Sequence, residues 1–171
     1  GLVQFEIGVQ TTNPETMMAI NRTMDFRKLA DNVNYLREKR NIHQHLDLIA
    51  GLPLEDYKSF EKSFNDVYRL KPDQLQLGFL KVLKGSLIEK DCEKYGIECC
   101  NFPPYEVLFT NHITFDEILE LKGISHMIDI YYNSGQFTNS MEFMAHYFGS
   151  PKKMYLSLYR FYDKKGLNTM E

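Results

Sequence analysis

The sequence predicts an α/β fold: a partial parallel (β/α) half-barrel, TIM-barrel-like and about three strands wide, followed by a mostly helical C-terminal domain. Three observations predict it. Strand-like segments begin near residues 1, 45 and 74, and each is closed by a turn. Helix-like segments fill the intervals, and strands joined through helices pair in parallel by right-handed crossovers. From Phe115 to Glu171 the pattern becomes helical and rich in Tyr, Phe and Met. That change places a boundary near residues 100–112, with 1–100 as the half-barrel and 101–171 as the helical domain.

Gly1–Val9 alternates apolar positions with a strand period. It opens without a start methionine or lead-in, so the chain reads as a piece of something longer; the alternative is a genuine short first strand after removal of Met. Thr12 or Asn13 caps the next helix, with Pro14 in its first turn and Glu15 beside the positive end of the dipole. Met17, Met18 and Ile20 are expected inward. Asp25–Arg40 is a second helix, carrying Leu29, Val33 and Leu36 on one face and basic residues at its end. His45–Pro53 is a short apolar run stopped by Gly51 and Pro53, the mark of a buried parallel strand, and Asp47 interrupts it. Leu54–Leu70 follows as a helix with Tyr57, Phe60, Phe64 and Val67 aligned, and Gln74–Leu83 as a strand with Leu75, Leu77 and Phe79. A helix over Ser86–Lys94 leads to a loop holding Cys99, Cys100, Pro103 and Pro104. Helical segments then cover 115–132, 138–148 and 151–165; Ser150 and Pro151 start the last, and Gly166 stops it.

With 43% hydrophobic residues among 171, the chain can bury a core, and ten Gly and six Pro exclude collagen-like and low-complexity classes. A net charge of -3 gives no basic footprint, so nucleic acid is not an expected partner. No apolar run approaches membrane-spanning length and no signal pattern opens the chain, so no membrane partner and a cytoplasmic location are expected. Cys92, Cys99 and Cys100 are odd in number and clustered, which suits free thiols in a reducing compartment. His112, His126 and His146 lack metal-ligand spacing, and no metal site is expected. Phe137, Met141, Phe143, Met144, Tyr147, Phe148, Met154, Tyr155, Leu158, Tyr159, Phe161 and Tyr162 are expected in the core, with a lid over a flat apolar substrate as the alternative.

Ligand groups in parallel sheets gather beyond the C-terminal strand ends. Gln10 ends the first strand and offers both a carbonyl and an amide. Arg22, expected on the following helix, is a rigid fork suited to a carboxylate or phosphate. Asp47 is costly to bury unless it is paired or accepts from ligand hydroxyls. Each has a structural alternative: a local hydrogen bond, a surface charge and a cap, respectively.

Phe5–Pro14 followed by Ile20-Asn21-Arg22, then Asp47-Leu48-Ile49-Ala50-Gly51-Leu52-Pro53 with Asp56 and Phe60, resembles the second half of a radical S-adenosylmethionine (SAM) catalytic domain. The resemblance covers roughly residues 2–90 and is closest to the branch with an N-terminal cobalamin-binding domain, named Mg-protoporphyrin monomethyl ester cyclase-like, related to oxygen-independent coproporphyrinogen oxidases. It implies a partial barrel that binds SAM and a 4Fe-4S cluster, with cobalamin in the parent protein, and cleaves SAM to a 5'-deoxyadenosyl radical. It also implies that Gln10 and Arg22 contact the SAM methionine moiety, that Asp47 accepts from the ribose hydroxyls and that Ile49 lies against the adenine. Glu6, Phe79 and Lys81 would then face the substrate side.

The chain departs from that pattern at two points: the Gly-Gly-Glu-like segment that in the family would recognise the SAM amino group is absent, and so is the cluster motif. The family holds its cluster with Cys-x3-Cys-x2-Cys, leaving one iron open for SAM; Cys92, Cys99 and Cys100 do not have that spacing. The expected function is therefore a fragment of a radical SAM enzyme that carries a SAM half-site and is inactive alone, its partners being the N-terminal remainder of the parent chain and a small-molecule substrate. The alternative is a non-enzymatic module that binds a protein through its aromatic C-terminal helices. An open barrel exposes the edge of its first strand, so self-association through Leu2–Val9 is also expected.

Overall fold

The computed structural model describes residues 3–167. Its centre is a three-stranded parallel sheet of β1 (Val3–Gln10), β2 (Ile42–Ala50) and β3 (Gln74–Phe79), in that spatial order. Between β1 and β2 lie α1 (Pro14–Ala19) and α2 (Phe26–Lys39), and between β2 and β3 lies α3 (Tyr57–Tyr68). The fold class agrees with the sequence reading: three parallel strands with crossover helices, then a helical C-terminal part.

The sheet has two chemically different faces. On β2, Gln44, Leu46, Leu48 and Ala50 are buried, while His43, His45, Asp47 and Ile49 are half-buried on the other face. The buried side packs with Val33 of α2 and with Phe60, Phe64 and Val67 of α3 in the core. Gln44 is tolerated there because its side-chain amide donates to Val33 O at 3.0 Å and its backbone N–H donates to Asp73 Oδ2 at 2.8 Å. β2 thus begins at Ile42, earlier than the apolar run beginning at His45 suggests.

Caps set the helix starts. Asn13, of the two candidates, caps α1 by accepting from Glu15 N–H at 3.1 Å. Asp25 caps α2, and Asp56 caps α3 by accepting from Ser59 N–H at 2.7 Å. Met17 is buried as expected, but Met18 is 69% exposed: α1 has only six residues, and its covered side carries Thr16 and Met17. Arg22 lies in the turn after α1 rather than on a helix, its N–H donating to Met17 O at 2.9 Å.

β3 ends at Phe79, short of the expected Leu83, because the chain then exchanges partners. Leu80 N–H still donates to Ala50 O at 2.9 Å, but Leu80 O accepts from Val107 N–H at 2.8 Å and Val82 N–H donates to Tyr105 O at 2.9 Å. Between these segments lie α4 (Leu87–Lys90), α5 (Cys92–Tyr95) and β4 (Glu98–Cys99), which pairs antiparallel with β5 (Val107–Phe109). The single helix expected over 86–94 is two short ones that meet at Asp91, the C-cap of α4 and the N-cap of α5.

The C-terminal part comprises α6 (Phe115–Ile128), a π-helical turn (Asp129–Asn133), α7 (Thr138–Ala145) and α8 (Pro151–Lys164). α6 opens with a capping box of Thr114 and Glu117, and α8 with Ser150 and Pro151. A Cβ on Gly123 of α6 would collide with the Tyr159 ring of α8, so glycine lets the two helices meet closely. Met141, Met154 and Tyr155 join the core; Phe143, Tyr147 and Phe161 are 64%, 73% and 55% exposed, against the expectation of burial. α7 is a short helix with one buried side chain, Met141, and its one aromatic, Phe143, is left uncovered; Tyr147 follows the helix and Phe161 lies on α8. Lys152 is buried with its ammonium 3.3 Å from the centre of the Tyr57 ring and 3.9 Å from Glu61, tying α8 to α3. One apolar cluster runs from Val9 to Tyr155 through the sheet and these helices. No described helix is long and apolar enough to cross a membrane.

Candidate functional site

The half-buried face of the sheet is laid out in rows by the strand register. Glu6 pairs with His45 and His45 with Gln74; one row further along, Gly8 pairs with Asp47 and Asp47 with Gln76; then Ile49 pairs with Gly78. Successive side chains of a strand alternate faces, so His43, His45, Asp47 and Ile49 share one side. The strand order therefore brings carboxyl, imidazole and amide groups together where an apolar layer would otherwise stand.

At the C-terminal end of this face lies a cleft of about 550 Å³, lined by Gln10, Asp47, Ile49, Gly78, Phe79, Lys81 and Glu106 among others. Of the residues singled out in the sequence, Gln10, Asp47, Ile49, Phe79 and Lys81 are thus brought together. Glu6 lies one row below on the same face as Asp47. Arg22 is exposed, yet it reaches the site from outside. A Cβ placed on Gly8 would collide with Gln10 Nε2 and lie 3.6 Å from Arg22 Nη1. Gly8 is the space into which the Gln10 side chain folds, with the Arg22 guanidinium beside it.

Gln10 gets there through an irregularity. The β1–β2 register shifts between Gly8 and Gln10, and Gln10 has φ of 69°. Left-handed backbone at a non-glycine residue is held by its surroundings. The hold comes from the next residues: Thr11 Oγ1 donates to Glu55 Oε1 at 2.5 Å, Ser63 Oγ donates to the same oxygen at 3.2 Å, and Thr12 N–H donates to Ser63 Oγ at 3.0 Å. Asn13 Nδ2 also donates to Leu54 O at 3.3 Å. Burial pushes the Glu55 carboxyl up to about 7 despite the Thr11 and Ser63 hydroxyls. Asp56 next to it goes the other way: backbone N–H donation from Ser59 holds it below the usual carboxylate range.

Asp47 is raised from the ordinary carboxylate value, first by burial; His45 opposes the rise and Glu6 adds to it. Its Oδ1 lies 3.5 Å from His45 Nε2. Buried oxygens Gln10 Oε1 and Asp47 Oδ1, and the nitrogen His45 Nδ1, have no hydrogen-bond partner among the described residues. Thr16 Oγ1, Gln44 Oε1 and Glu55 Oε2 are likewise unpaired elsewhere; buried polar atoms are normally satisfied, and of these six Gln10 Oε1 and Asp47 Oδ1 belong to residues that line the cleft. A second cavity of about 520 Å³, between α3, the π-turn and α7, differs in this respect. Its Tyr68, Tyr131 and Tyr132 hydroxyls are paired with Tyr155, Tyr162 and Pro72 O.

Sequence reasoning missed His45, Glu55, Ser63 and Glu106. The first carried a readable signal, because His43, His45 and Asp47 recur with a period of two on the unburied side of β2. Glu106 reaches the cleft through the Lys81–Glu106 bridge and is held by Lys122, whose ammonium lies 5.5 Å from the centre of the Phe79 ring. Among the described residues no group of three His, Cys, Asp or Glu side chains could hold a metal ion. Cys92, Cys99 and Cys100 are free thiols, and burial raises Cys92 and Cys99 above the ordinary thiol value.

Residues 93–171 match a family described as a protein of unknown function, DUF4080. The uncharacterized protein YtqA of Bacillus subtilis (strain 168) is 32% identical over 123 residues, which cover 72% of this chain and 37% of that protein. The oxygen-independent coproporphyrinogen III oxidase of Escherichia coli (strain K12) is 32% identical over 77 residues, 45% of this chain and 17% of the enzyme. The coproporphyrinogen oxidase-like protein HemZ of Bacillus subtilis is 27% identical over 55% of this chain and 19% of that protein. A solved structure, described as coproporphyrinogen III oxidase HemN from Escherichia coli, a radical SAM enzyme, shares 32% identity and a TM-score of 0.42 over 44% of this chain and 17% of its own. The chain spans little more than a third of YtqA and less than a fifth of the E. coli oxidase and HemZ. It is homologous to coproporphyrinogen oxidases of the HemN and HemZ kind, which the sequence motifs suggest only as relatives of the cobalamin-domain branch that they resemble most.

Proposed function

We propose that this chain supplies the nucleoside side of a SAM site in a radical SAM enzyme. The observation that carries the reading is the cleft itself: Gln10, Asp47 and Ile49 meet at the C-terminal end of a parallel sheet, with the unpaired oxygens of Gln10 and Asp47 at one place. Asp47 would accept from the two ribose hydroxyls, Ile49 would cover the adenine beside the open Gly78, and Arg22 with Gln10 would hold the methionine carboxylate and amine. Glu6, Phe79 and Lys81 would line the substrate side, with Glu106 added to that wall. The cluster, when bound, would supply the electron for reductive cleavage of SAM. The residues described here do not fit it, because the three cysteines lack the family's spacing and no metal-holding group is formed. Cluster ligands would come from an N-terminal barrel half pairing with β1. The cobalamin-domain branch stays part of this proposal, with support only from the sequence resemblance, and methyl transfer, cyclisation and other radical chemistry remain alternatives for the parent enzyme.

The test is anaerobic iron–sulfur reconstitution of this chain beside a version extended upstream through its gene, read by iron and sulfide content and electron paramagnetic resonance. A 4Fe-4S signal only in the longer protein is expected, together with binding of S-adenosylhomocysteine that the short chain shows weakly or not at all. If neither version holds a cluster, the enzyme reading fails. The exposed Phe143 on α7, Tyr147 just after it and Phe161 on α8 would then favour the second reading, a module that binds a protein partner.

A further inference from the structure

His45 lies on the same strand face as Asp47 and one row below it, flanked in register by Glu6 and Gln74. Its side chain is 15% exposed, its Nε2 stands 3.5 Å from Asp47 Oδ1, and its Nδ1 is buried without a partner. An unpaired buried nitrogen has a cost that a merely packed ring would avoid by turning toward solvent or backbone.

We propose that His45 is a positioning residue for the Asp47 carboxylate, aiming it at the vicinal hydroxyls of a bound nucleoside. The inference rests on the nucleoside-site reading above. A carboxylate accepts both hydroxyls of a ribose only if its plane is fixed, and among the described residues nothing else fixes Asp47 Oδ1. With its proton on Nε2, the imidazole points a donor at one lone pair of that oxygen and leaves its other lone pair and Oδ2 for the two hydroxyls. At 3.5 Å the contact is long for a hydrogen bond, as such contacts often are before a ligand tightens the site. The imidazole also offsets the burial and the Glu6 charge that disfavour the ionised carboxylate.

The experiment uses the full-length gene product and calorimetric titration with S-adenosylhomocysteine and with its 2',3'-dideoxy analogue. His45→Leu should weaken S-adenosylhomocysteine about tenfold, as loss of a hydrogen bond to a charged group does. It should leave the dideoxy analogue unchanged. His45→Gln, which puts an amide nitrogen near the Nε2 position, should recover the difference, and His45→Asn, which puts it near Nδ1, should not. If His45→Leu does not fold, the Gln and Asn variants carry the same comparison. Equal weakening of both ligands would assign His45 to packing and overturn the inference, leaving the nucleoside reading intact. A wild-type protein that does not distinguish the two ligands would overturn the nucleoside reading, and this inference with it.

Discussion

The two edges of the three-stranded sheet are finished differently. Beyond β3 the backbone is covered: Asn133 of the π-turn accepts from Leu75 N–H and donates to Leu75 O, both at 3.0 Å, as a neighbouring strand would. Ser125 of α6 reaches Leu77 O at 3.4 Å, and the continuation at Leu80–Val82 is paired with residues 105–107. Beyond β1, among the described residues, no strand follows, and Val3 and Phe5 are 48% and 41% exposed while Val9 is fully buried. A side-chain amide is a compact substitute for a strand, since it offers one donor and one acceptor at backbone spacing. Among the described residues the sheet is therefore closed on the β3 side and open on the β1 side.

The largest effect should come from reopening the closed edge. Asn133→Ala removes both bonds to Leu75 and leaves a partly buried N–H and C=O without partners, at a cost of about 3 kcal/mol. Urea denaturation followed by circular dichroism would show it as a lower midpoint with the slope retained. A loss below about 0.5 kcal/mol would mean that the edge is satisfied by water and that the π-turn is not its cap.

The open strand is nevertheless anchored at its C-terminal end, by the Thr11–Glu55–Ser63 group, and this anchor should respond to pH. Glu55 is pushed up to about 7 when folded and returns to an ordinary carboxylate value, near 4.5, when unfolded. Between those values the folded state binds more protons than the unfolded one, so this contribution is complete below about pH 4.5 and falls away as pH rises through 7. Over pH 5 to 8 the change approaches about 2.5 kcal/mol. Glu55→Gln should flatten that dependence, and thermal unfolding of both proteins from pH 5 to 8 would measure it. Parallel pH curves for the two proteins would mean that other groups dominate.

What the sequence made legible divides along the same line. The apolar run through Leu46–Leu52, the Gly51–Pro53 stop and the caps at Asn13 and Ser150 are local signals, and the three strands follow from them. The pieces that finish the site and the closed edge are pairs remote in sequence: Thr11 with Glu55, Asn133 with Leu75, and Lys81 with Glu106. Nothing in the periodicity around Asn133 or Glu106 announces a partner, because a single polar residue that replaces a strand or lines a cleft has no repeat. Phe143, Tyr147 and Phe161 show the reverse error, since helical spacing of aromatics suggests a buried face and gives no sign of whether a partner element exists to cover it.

The smallest effect on stability, and the most direct test of the open edge, concerns association. Exposed strand edges beside apolar side chains pair with other chains unless charge or cover prevents it. The expectation drawn from the sequence spans Leu2–Val9; Leu2 lies outside the described residues, and Val3, Phe5 and Ile7 carry the rest. At tens of micromolar, this chain should elute larger than a monomer in size-exclusion chromatography with light scattering, shifting toward monomer on dilution. Val3→Lys with Phe5→Lys should move it to monomer while changing the unfolding free energy by less than about 1 kcal/mol, because both side chains are already near half exposure. The same substitutions in a chain extended upstream should cost more than in the short one, if an upstream strand covers these positions, since charge would then be buried where apolar surface belongs. Equal costs in the two lengths would show that the edge stays open in both.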